Sequence, residues 1–486
     1  MSLIDSPLTA ENLPRLIDRM AAQLPDRLAV QVGERRVTYK QLSDDVGTLA
    51  AELDAALAAH GCGHDAVTAI SAVDPYRHWT AILAGLKLGS CTVSLSTATS
   101  DSEMAALDVS LVIGNHDIRS RTTEAPVHSF EVSAPARMVR SSGTTARAKV
   151  IALDVEGLAR RLAGNVATYG LDARSKTLAM NGPATTSGFN LPILTWAVGG
   201  VIIFTTGGTL DALVNAIAQS TVVLGSPLTI AAAVAKIART GLPDKNRDMF
   251  AAGARLPAAV AEQALALMCR RITIMYGAME MGGGCRGDAA LLARHPGAVG
   301  FPRPGTLVEI VGGSGVPLPA GVEGRIRMRS DLMVHSYCND AATTAQNFKD
   351  GWFYPGDLGA IEGDGLVIVT GRVSDMMNIG GIKLAPATVE TRLGAIAGVV
   401  DLCAVAVTRP DSHDRLAVAV VAEPNADWTA IERAIRHALR GLPPQAIFEM
   451  EALPVTDAGK LDRRRLAQDL ATRLERHETK TPVKKV

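Results

Sequence analysis

A short polar stretch, Ser141–Lys149, has the composition of a phosphate-binding loop. It reads SSGTTARAK, so four hydroxyls, one glycine and one lysine stand within nine residues. Small residues let a backbone approach a ligand closely, hydroxyls and backbone N–H groups donate to phosphate oxygens, and a lysine adds positive charge. A polar surface turn is the alternative interpretation. The stretch is not a Walker loop, because no glycine precedes Lys149 and Val150 follows it.

A second candidate segment, MYGAME, ends the apolar run ITIM. A tyrosine that leaves a strand at a glycine, here Tyr276 before Gly277, could stack on a flat base. The carboxylate of Glu280 could hold Mg²⁺ through oxygen. The alternative is a buried strand end followed by an acid that starts a helix.

Two segments further along the chain carry groups suited to a sugar or a phosphate. In WFYPGDL, a carboxylate held at a turn, Asp357, can accept both hydroxyls of a ribose. Arg372 in GRVSD could contact phosphate or sugar oxygens. The pair Gly380-Gly381 suggests a bending or closely approached segment. Local satisfaction of backbone donors and an ordinary linker turn are the corresponding alternatives.

The last candidate is Lys460 in TDAGKLDRRR. Gly459 gives this lysine a mobile, exposed mount, from which its charge could be delivered to negative charge that develops during a reaction. A solvated basic run before the last helix is the alternative.

Composition limits the kinds of partner. The chain has 486 residues, 47% of them hydrophobic, and 49 basic residues balance 49 acidic ones. A broad electrostatic contact with nucleic acid or an anionic membrane is therefore not expected. No uninterrupted apolar stretch reaches the roughly 18 residues of a membrane helix, and the first residues do not have the order of a secretory signal. The six cysteines include no CxxC pair. We therefore expect a cytoplasmic protein with no membrane span.

Hydrophobic periodicity predicts the elements that must position these groups. Leucines and valines at three- and four-residue steps predict a helix over 41–60, and short apolar runs at 201–205, 222–224 and 272–275 predict buried strands. This alternation indicates an α/β architecture. After about residue 300 the runs alternate, as in GRIRMRS at 324–330, which predicts smaller strands with one solvated face.

A compact last unit follows Arg372. It contains predicted strands near 402–408 and 415–422 and a predicted helix that begins near Trp428 and ends before Gly441. A unit of about 110 residues is large enough for a small α+β domain.

Taken in this order, the segments resemble the adenylate-forming superfamily, which includes acyl-CoA synthetases, adenylation domains of peptide synthetases, and luciferases. The resemblance covers approximately residues 15–470. It implies an α/β fold with a large N-terminal domain of several subdomains, 1–374, in which α/β layers adjoin a small β-rich subdomain. A small mobile α+β C-terminal domain, 375–486, would follow, with its hinge at Asp375.

The resemblance also implies a role for each candidate residue. The polar loop would hold the β- and γ-phosphates of ATP, Tyr276 and the Gly253-Ala254 segment would lie on the two sides of adenine, and Asp357 would bind the ribose. The implied ATP-binding residues are Ser141, Ser142, Gly143, Thr144, Thr145, Lys149, Gly253, Ala254, Tyr276, Gly277, Asp357 and Arg372. Glu280 would bind Mg²⁺, and Lys460 would bridge the substrate carboxylate and ATP, so these two are the implied catalytic residues.

The implied chemistry has two steps. A carboxylate attacks the α-phosphorus of ATP, which gives an acyl-AMP and pyrophosphate. The small domain then turns about Asp375, and Gly380-Gly381 lines a channel for the thiol of CoA or of the phosphopantetheine of a carrier protein. Because only a short segment follows Lys460, we expect free CoA or a separate carrier protein to be the acceptor.

The acid-binding residues implied by the resemblance are Thr185, Gly188, Asn190 and Gly282. The segment 185–190 contains no carboxylate that could pair with an α-ammonium group, so an α-amino acid is disfavoured. The glycines at 282–284 would leave room for an aryl or medium-chain acyl group. The alternative is that these glycines only loosen a loop.

Several positions depart from the superfamily's usual pattern. Ala146, Ala148 and Val150 replace a glycine, a proline and a glycine of the phosphate loop, and Met279 stands where a threonine is usual. These changes raise a second hypothesis, a catalytically weak relative that binds a nucleotide or an acyl-adenylate. The retained Lys460 and Glu280 favour an active acid–thiol ligase of the AMP-forming acyl-CoA synthetase type.

Overall fold

The computed structural model describes residues 8–96, 99–120, 134–141, 148–379, 382–393, 396–407, 414–443, 445–455 and 461–478. Short 3₁₀ turns lie at Ala289–Ala293 and Val373–Asp375. The α-helices in these ranges are, in chain order, α1 Leu16–Gln23, α2 Tyr39–Ala59, α3 Pro75–Leu88, α4 Asp101–Ala106, α5 Val155–Ala163, α6 Val166–Tyr169, α7 Thr186–Ala197, α8 Leu210–Gln219, α9 Pro227–Thr240, α10 Ala258–Leu267, α11 Ala341–Asn347, α12 Pro386–Leu393, α13 Trp428–Ala438 and α14 Arg463–Glu478.

The strands of the described ranges form four separate sheets. In chain order they are β1 Leu28–Val32, β2 Arg35–Thr38, β3 Val67–Ile70, β4 Thr92–Ser94, β5 Val109–Ile113, β6 Ile118–Ser120, β7 Pro135–Arg140, β8 Val150–Asp154, β9 Lys176–Ala179, β10 Val201–Phe204, β11 Val222–Gly225, β12 Asp248–Ala252, β13 Arg271–Gly277, β14 Gly284–Asp288, β15 Ala298–Pro302, β16 Thr306–Val311, β17 Gly324–Ser330, β18 Phe348–Lys349, β19 Trp352–Phe353, β20 Asp357–Ile361, β21 Val367–Arg372, β22 Met377–Ile379, β23 Ile382–Leu384, β24 Val399–Val407, β25 Arg415–Ala422 and β26 Gln445–Glu449.

One sheet has six strands in the order β6-β5-β3-β4-β7-β8. Its four central strands are parallel, and β6 and β8 pair antiparallel at the two edges. Central parallel strands are buried on both faces, which explains the fully buried VSLVI run of β5. The antiparallel pair β7–β8 matters for function, because the polar loop joins these two strands.

The largest sheet has fifteen strands. Strands β1, β10, β9, β11, β12 and β13 are parallel neighbours. Beyond β13 the pairing becomes antiparallel through β14, β15, β21, β20 and β17. The segment MYGAME begins at the carboxyl end of β13, so the candidate adenine and magnesium residues lie where the sheet changes from parallel to antiparallel.

The antiparallel end of this sheet is the β-rich part that the sequence predicts after residue 300. Strand β17 coincides with the predicted strand 324–330, and Ile326 and Met328 are buried on one face while Arg325 and Arg329 are exposed. The prediction of small strands with one solvated face is therefore confirmed.

Residues beyond 375 form a smaller α+β unit. Strands β24, β25 and β26 make a three-stranded sheet, β22 and β23 make a separate pair, and helices α12, α13 and α14 pack on them. The predicted strands near 402–408 and 415–422 and the helix from Trp428 are confirmed, with β24 beginning three residues earlier than predicted.

The apolar cores divide along the same line. Each hydrophobic cluster among the described residues lies either before residue 370 or after residue 376. A unit with its own core can unfold as a unit. This division supports the proposed boundary between 374 and 375.

Local sequence explains why helix α2 begins before the predicted residue 41. Thr38 accepts a hydrogen bond from the backbone of Gln41 at 3.3 Å, and the side chain of Gln41 accepts one from the backbone of Thr38 at 2.9 Å. This reciprocal capping fixes the first turn at Tyr39.

Membrane-spanning helices and disulfide bonds are both absent from the described residues. The helices found in the described ranges are all too short or too polar to cross a membrane. The six cysteines all lie in those ranges and form no disulfide.

We expect Leu470→Ala to loosen the small unit alone. Leu470 is completely buried in the core formed by β24, β25 and α14, and truncating such a residue costs about 2–5 kcal/mol. Hydrogen exchange measured by mass spectrometry should show faster exchange in 377–474 and unchanged exchange in 67–113. Val400→Ala, at a side chain 61% exposed, is the matched control. Equal loss of protection in both regions would contradict the boundary.

Candidate active site

The two ends of the polar loop are fastened together. Strands β7 and β8 pair Arg140 with Val150, the last residue pair before the loop. The backbone N–H of Ser141 donates to the carbonyl of Lys149 at 2.8 Å, and the backbone N–H of Lys149 donates to the Ser141 hydroxyl at 3.0 Å. Ser142, Gly143, Thr144 and Thr145 lie outside the described residues. The predicted phosphate loop thus begins and ends at a hydrogen-bonded base.

Glu280 is a buried carboxylate at the end of the MYGAME segment, with a side chain 5% exposed. It accepts a hydrogen bond of 2.6 Å from the hydroxyl of Tyr337 at Oε1. Lys149 lies nearby, since its Nζ is 5.2 Å from the centroid of the same tyrosine's ring. Burial lowers the pKa of Lys149 below its ordinary value, and the negative charge of Glu280 offsets part of that effect.

The backbone around Glu280 is held by a second buried residue, Arg161 of helix α5. Its guanidinium donates to the carbonyls of Met279 at 2.7 Å, Glu280 at 2.9 Å and Leu332 at 2.9 Å. Burial lowers the pKa of Arg161 to about 10. One side chain thereby satisfies three peptide groups that no strand or helix pairs, and it fixes the direction of Glu280.

Tyr276, Asp357 and Arg372 form one hydrogen-bonded group. The Tyr276 hydroxyl donates to Oδ2 of Asp357 at 2.7 Å, and Nε of Arg372 donates to Oδ1 at 2.8 Å. Strands β20 and β21 place Asp357 directly opposite Arg372. Burial, followed by the charge of Asp357, raises the pKa of Tyr276 well above its ordinary value, so the phenol remains a donor.

The Gly253-Ala254 segment lies at the same sheet edge as Tyr276. Strand β12 runs parallel to β13, with Ala252 beside Met275, so both chains leave the sheet at neighbouring positions. Gly253 has φ of +98°, a conformation that favours glycine, and no atom lies within 4 Å of the place where its side chain would be. This turn can approach a flat ligand closely.

The predicted acid-binding segment forms the start of helix α7. The Thr185 hydroxyl accepts the backbone N–H of Gly188 at 3.0 Å and so caps the helix. A side chain at Gly188 would come within 2.3 Å of the Gly182 carbonyl. Asn190 is 6% exposed. Capping and close packing explain two of these residues without a ligand, and their binding role stays a prediction.

The glycine run after Met281 has a different reason from the expected one. A side chain at Gly282 would lie 2.8 Å from Cγ of Arg161, and one at Gly284 would lie 1.9 Å from the carbonyl oxygen of Tyr276. The space that these glycines leave is filled by protein. Room for an acyl group therefore does not follow from Gly282 and Gly284.

The remaining predicted functional residues belong to the small unit and its proposed hinge. Arg463 binds both carboxylate oxygens of Glu390, at 2.7 and 3.1 Å, and its Nε lies 3.8 Å from Oδ2 of Asp375. Burial lowers the pKa of Arg255, the residue after Ala254, and the charge of Glu390 opposes that effect. Lys460, Gly380 and Gly381 lie outside the described residues.

The structure thus brings Lys149 and Glu280 together at Tyr337, whose hydroxyl donates to Glu280 and whose ring centroid lies 5.2 Å from Nζ of Lys149. Tyr276, Asp357 and Arg372 form a second group, and strand β13, which ends at Gly277, joins it to the segment that carries Glu280.

Two residues of the site, Arg161 and Tyr337, are not among the predicted ones. No local pattern marks either, because Tyr337 is 57 positions from Glu280 in the sequence and Arg161 is 119 positions from it. Each contact joins separate elements of the fold.

The residues present suit Mg²⁺ held jointly with phosphate. No group of three or more His, Cys, Asp or Glu side chains able to hold a metal occurs in the described ranges. Mg²⁺ commonly takes only one or two carboxylates and completes its shell with water and substrate phosphates. A single buried carboxylate opposite a lysine and a phosphate-loop base fits that chemistry.

The middle of the chain matches a known protein family. The family model described as AMP-binding enzyme matches residues 108–338. A feruloyl-CoA synthase of an Amycolatopsis species is 31% identical over 274 residues, which are 54% of this chain and 55% of that protein. The chain thus spans about half the length of this relative. An indoleacetate–CoA ligase of Aromatoleum aromaticum is 25% identical over 505 residues, 92% of this chain and 96% of the relative.

Solved structures extend the comparison to nearly the whole chain. The anthranilate CoA ligase AuaEII in complex with anthranoyl-AMP has a TM-score of 0.80 at 20% identity, over 98% of this chain and 100% of that one. ATP-bound MatB from Rhodopseudomonas palustris has a TM-score of 0.76 at 21% identity, over 94% and 99%. Residues 108–338 therefore match AMP-binding enzymes, and nearly the whole chain has the fold of these solved structures. The predicted α/β fold with a large sheet-rich N-terminal part and a smaller C-terminal part is confirmed.

We expect Gly284→Ala to destabilise the protein by about 1–3 kcal/mol. The new methyl group would overlap the carbonyl oxygen of Tyr276 and force β13 and β14 apart. Thermal unfolding measures the loss. Gly313→Ala is the control, because no atom lies within 4 Å of its added methyl group. An unchanged melting temperature for Gly284→Ala would show that the hairpin does not require this glycine.

Proposed function

We propose that this protein is an ATP-dependent acid–thiol ligase of the AMP-forming acyl-CoA synthetase type. The observation that carries the proposal is the convergence of three groups at the end of β13. Glu280 suits Mg²⁺, Lys149 suits phosphate and Asp357 suits ribose hydroxyls. The match of residues 108–338 to AMP-binding enzymes supports a nucleotide as the ligand.

The first step joins the acid to AMP. A carboxylate oxygen of the substrate forms a bond to the α-phosphorus of ATP, the bond from that phosphorus to the bridging oxygen breaks, and pyrophosphate leaves with the electron pair. Mg²⁺, when bound at Glu280, would offset negative charge on the phosphates. Lys149 adds fixed positive charge beside the loop base, and Lys460 would bridge the substrate carboxylate and the α-phosphate.

The ribose of ATP requires hydrogen-bond acceptors for its hydroxyls, and the adenine requires a flat surface on which to stack. Asp357 already accepts from Tyr276 and Arg372, one at each oxygen, and each oxygen has a second lone pair for a ribose hydroxyl. Because Asp357 is held from both sides, its orientation does not depend on the ligand. Gly253 and the Tyr276 ring would flank the base.

The second step forms the thioester. The sulfur of a pantetheine thiol attacks the acyl carbon, the thiol loses its proton, and AMP leaves. We propose that the unit beyond 375 turns about Asp375 between the two steps, which removes Lys460 and brings Gly380-Gly381 to the thiol channel. Free CoA is the favoured acceptor, because the relatives named above are CoA ligases or synthases; a carrier protein is the alternative.

An aryl acid is the favoured substrate. The relatives include proteins named for feruloyl, 3-hydroxybenzoate and indoleacetate substrates. The segment 185–190 carries no acid to pair with an α-ammonium group, which disfavours an amino acid. Neighbouring protein atoms fill the space beside Gly282 and Gly284, so these glycines do not indicate a bulky acyl group. The relatives alone support an aryl acid.

We expect acid-dependent exchange of pyrophosphate into ATP with at least one aryl acid. A panel of ferulate, 3-hydroxybenzoate, indoleacetate and anthranilate, with acetate and phenylalanine for comparison, covers the classes. Lys460→Ala should lower exchange by at least about 100-fold, because a lost charge in the transition state costs about 2.7–4 kcal/mol. Arg464→Ala, an exposed cation four residues away, should keep the rate.

The same assay separates the two hypotheses. Exchange that disappears in Lys460→Ala supports the ligase. Measurable ATP binding without exchange for any acid of a broad panel would instead favour the weak nucleotide-binding relative suggested by Ala146, Ala148, Val150 and Met279.

We expect Asp357→Asn to weaken ATP binding by roughly 10-fold or more, because hydrogen bonds to charged groups contribute about 1.5–3 kcal/mol. Isothermal titration calorimetry measures the change. Asp364→Asn is the control, since Asp364 only accepts the backbone N–H of Leu366 at 3.1 Å. Equal affinity of Asp357→Asn and wild type would place the ribose elsewhere.

A further inference from the structure

Tyr337 contacts the two charged side chains that the proposed function assigns to the triphosphate and its metal. Its hydroxyl donates to Oε1 of Glu280 at 2.6 Å. Nζ of Lys149 lies 5.2 Å from the centroid of its ring. The side chain is 4% exposed. One tyrosine thus touches a cation with its ring face and a carboxylate with its hydroxyl.

The position of Tyr337 is fixed by groups that have no part in nucleotide binding. Its backbone N–H donates to the Thr344 hydroxyl at 2.9 Å, and that hydroxyl donates to the carbonyl of Asp340 at 2.8 Å. Its ring packs 5.4 Å from Phe348, which in turn lies 5.2 Å from Phe353. The start of helix α11 and an aromatic cluster therefore hold the tyrosine before any ligand arrives.

The chemical state of Tyr337 is also defined. A tyrosine hydroxyl has an ordinary pKa of about 10, so it carries its proton at neutral pH. The phenol keeps its proton and acts as a donor. A carboxylate that accepts such a bond at one oxygen has its plane fixed, which aims its second oxygen in one direction. Groups that orient a metal-binding carboxylate in this way affect metal affinity by about 10- to 100-fold.

We propose that Tyr337 is a positioning residue that aligns Glu280 with Mg²⁺ and Lys149 with the phosphates of ATP. The proposal rests on the proposed function, since it takes Glu280 and Lys149 as the groups that meet Mg²⁺-ATP. Two parts of one side chain have separate roles. The hydroxyl orients the carboxylate of Glu280, and the ring positions the ammonium group of Lys149.

A second tyrosine provides a matched comparison. Tyr76 on helix α3 is 5% exposed, and its hydroxyl donates to Oδ2 of Asp45 on helix α2 at 2.6 Å. Tyr76→Phe therefore removes a hydrogen bond of the same length from a buried tyrosine to a carboxylate, which here is half exposed. Any loss of stability common to Tyr76→Phe and Tyr337→Phe reports the structural role alone.

The experiment measures ATP binding by isothermal titration calorimetry, first in EDTA and then over a range of Mg²⁺ concentrations, without an acid substrate. We expect Tyr337→Phe to keep the Mg²⁺-free affinity within twofold and to raise the half-saturating Mg²⁺ concentration about 10-fold. Tyr337→Leu, which also loses the ring, should weaken Mg²⁺-free binding by about 2- to 5-fold. Tyr76→Phe should match wild type in both measurements.

Unchanged Mg²⁺ dependence in Tyr337→Phe would overturn the inference, as would an equal change in Tyr76→Phe. Equal effects of the Phe and Leu variants on Mg²⁺-free binding would remove the role of the ring. Failure of the wild-type protein to bind ATP would overturn the proposed function itself, which makes the two failures distinguishable. Circular dichroism confirms that each variant is folded before titration.

Discussion

Glu280 places a carboxylate in a part of the protein where only 5% of its surface is exposed, and such a group must be matched by donors or cations. The Tyr337 hydroxyl and the charge of Lys149 provide that match on the side-chain end. Arg161 provides it on the backbone end. Because Arg161 needs space beside the chain, the residue at 282 must be small and take a positive φ of 65°. The burial of this one acid therefore accounts for both the position of Arg161 on helix α5 and the glycine at 282.

The sequence predicted the regular elements well because the signals are local. The 3.6-residue period of α2 and the alternation of β17 act through neighbouring side chains, so the sequence alone predicts both elements. The contact between Tyr337 and Glu280 joins elements 57 residues apart and has no local signal. Thr185 shows the converse limit: its hydroxyl caps helix α7, a structural task that residue type alone did not separate from substrate binding.

The departures from the superfamily's usual pattern have limited consequences where the structure describes their surroundings. Met279 replaces a threonine, yet the part of residue 279 that Arg161 binds is the backbone carbonyl, which any residue supplies. Val150 replaces a glycine, yet it pairs with Arg140 in a regular antiparallel register. The backbone framework around Lys149 and Glu280 therefore survives these substitutions, and what they remove is a hydroxyl and some backbone freedom. The retained backbone framework favours the proposed active ligase over a binding-only relative.

The chain just beyond Lys460 is bound within its own small unit. Arg463, three positions after Lys460, donates to both carboxylate oxygens of Glu390 on α12 within the same unit, so that ion pair would be kept if the unit rotated as a body. Its contact with Asp375 is longer, 3.8 Å, and reaches the proposed hinge. A rotation about Asp375 would therefore change the weaker contact and keep the stronger one. Under the proposed function, Lys460 is carried in and out of the site by rotation of the whole unit, because the chain just beyond the lysine is tied to α12 rather than to the nucleotide-binding sheet.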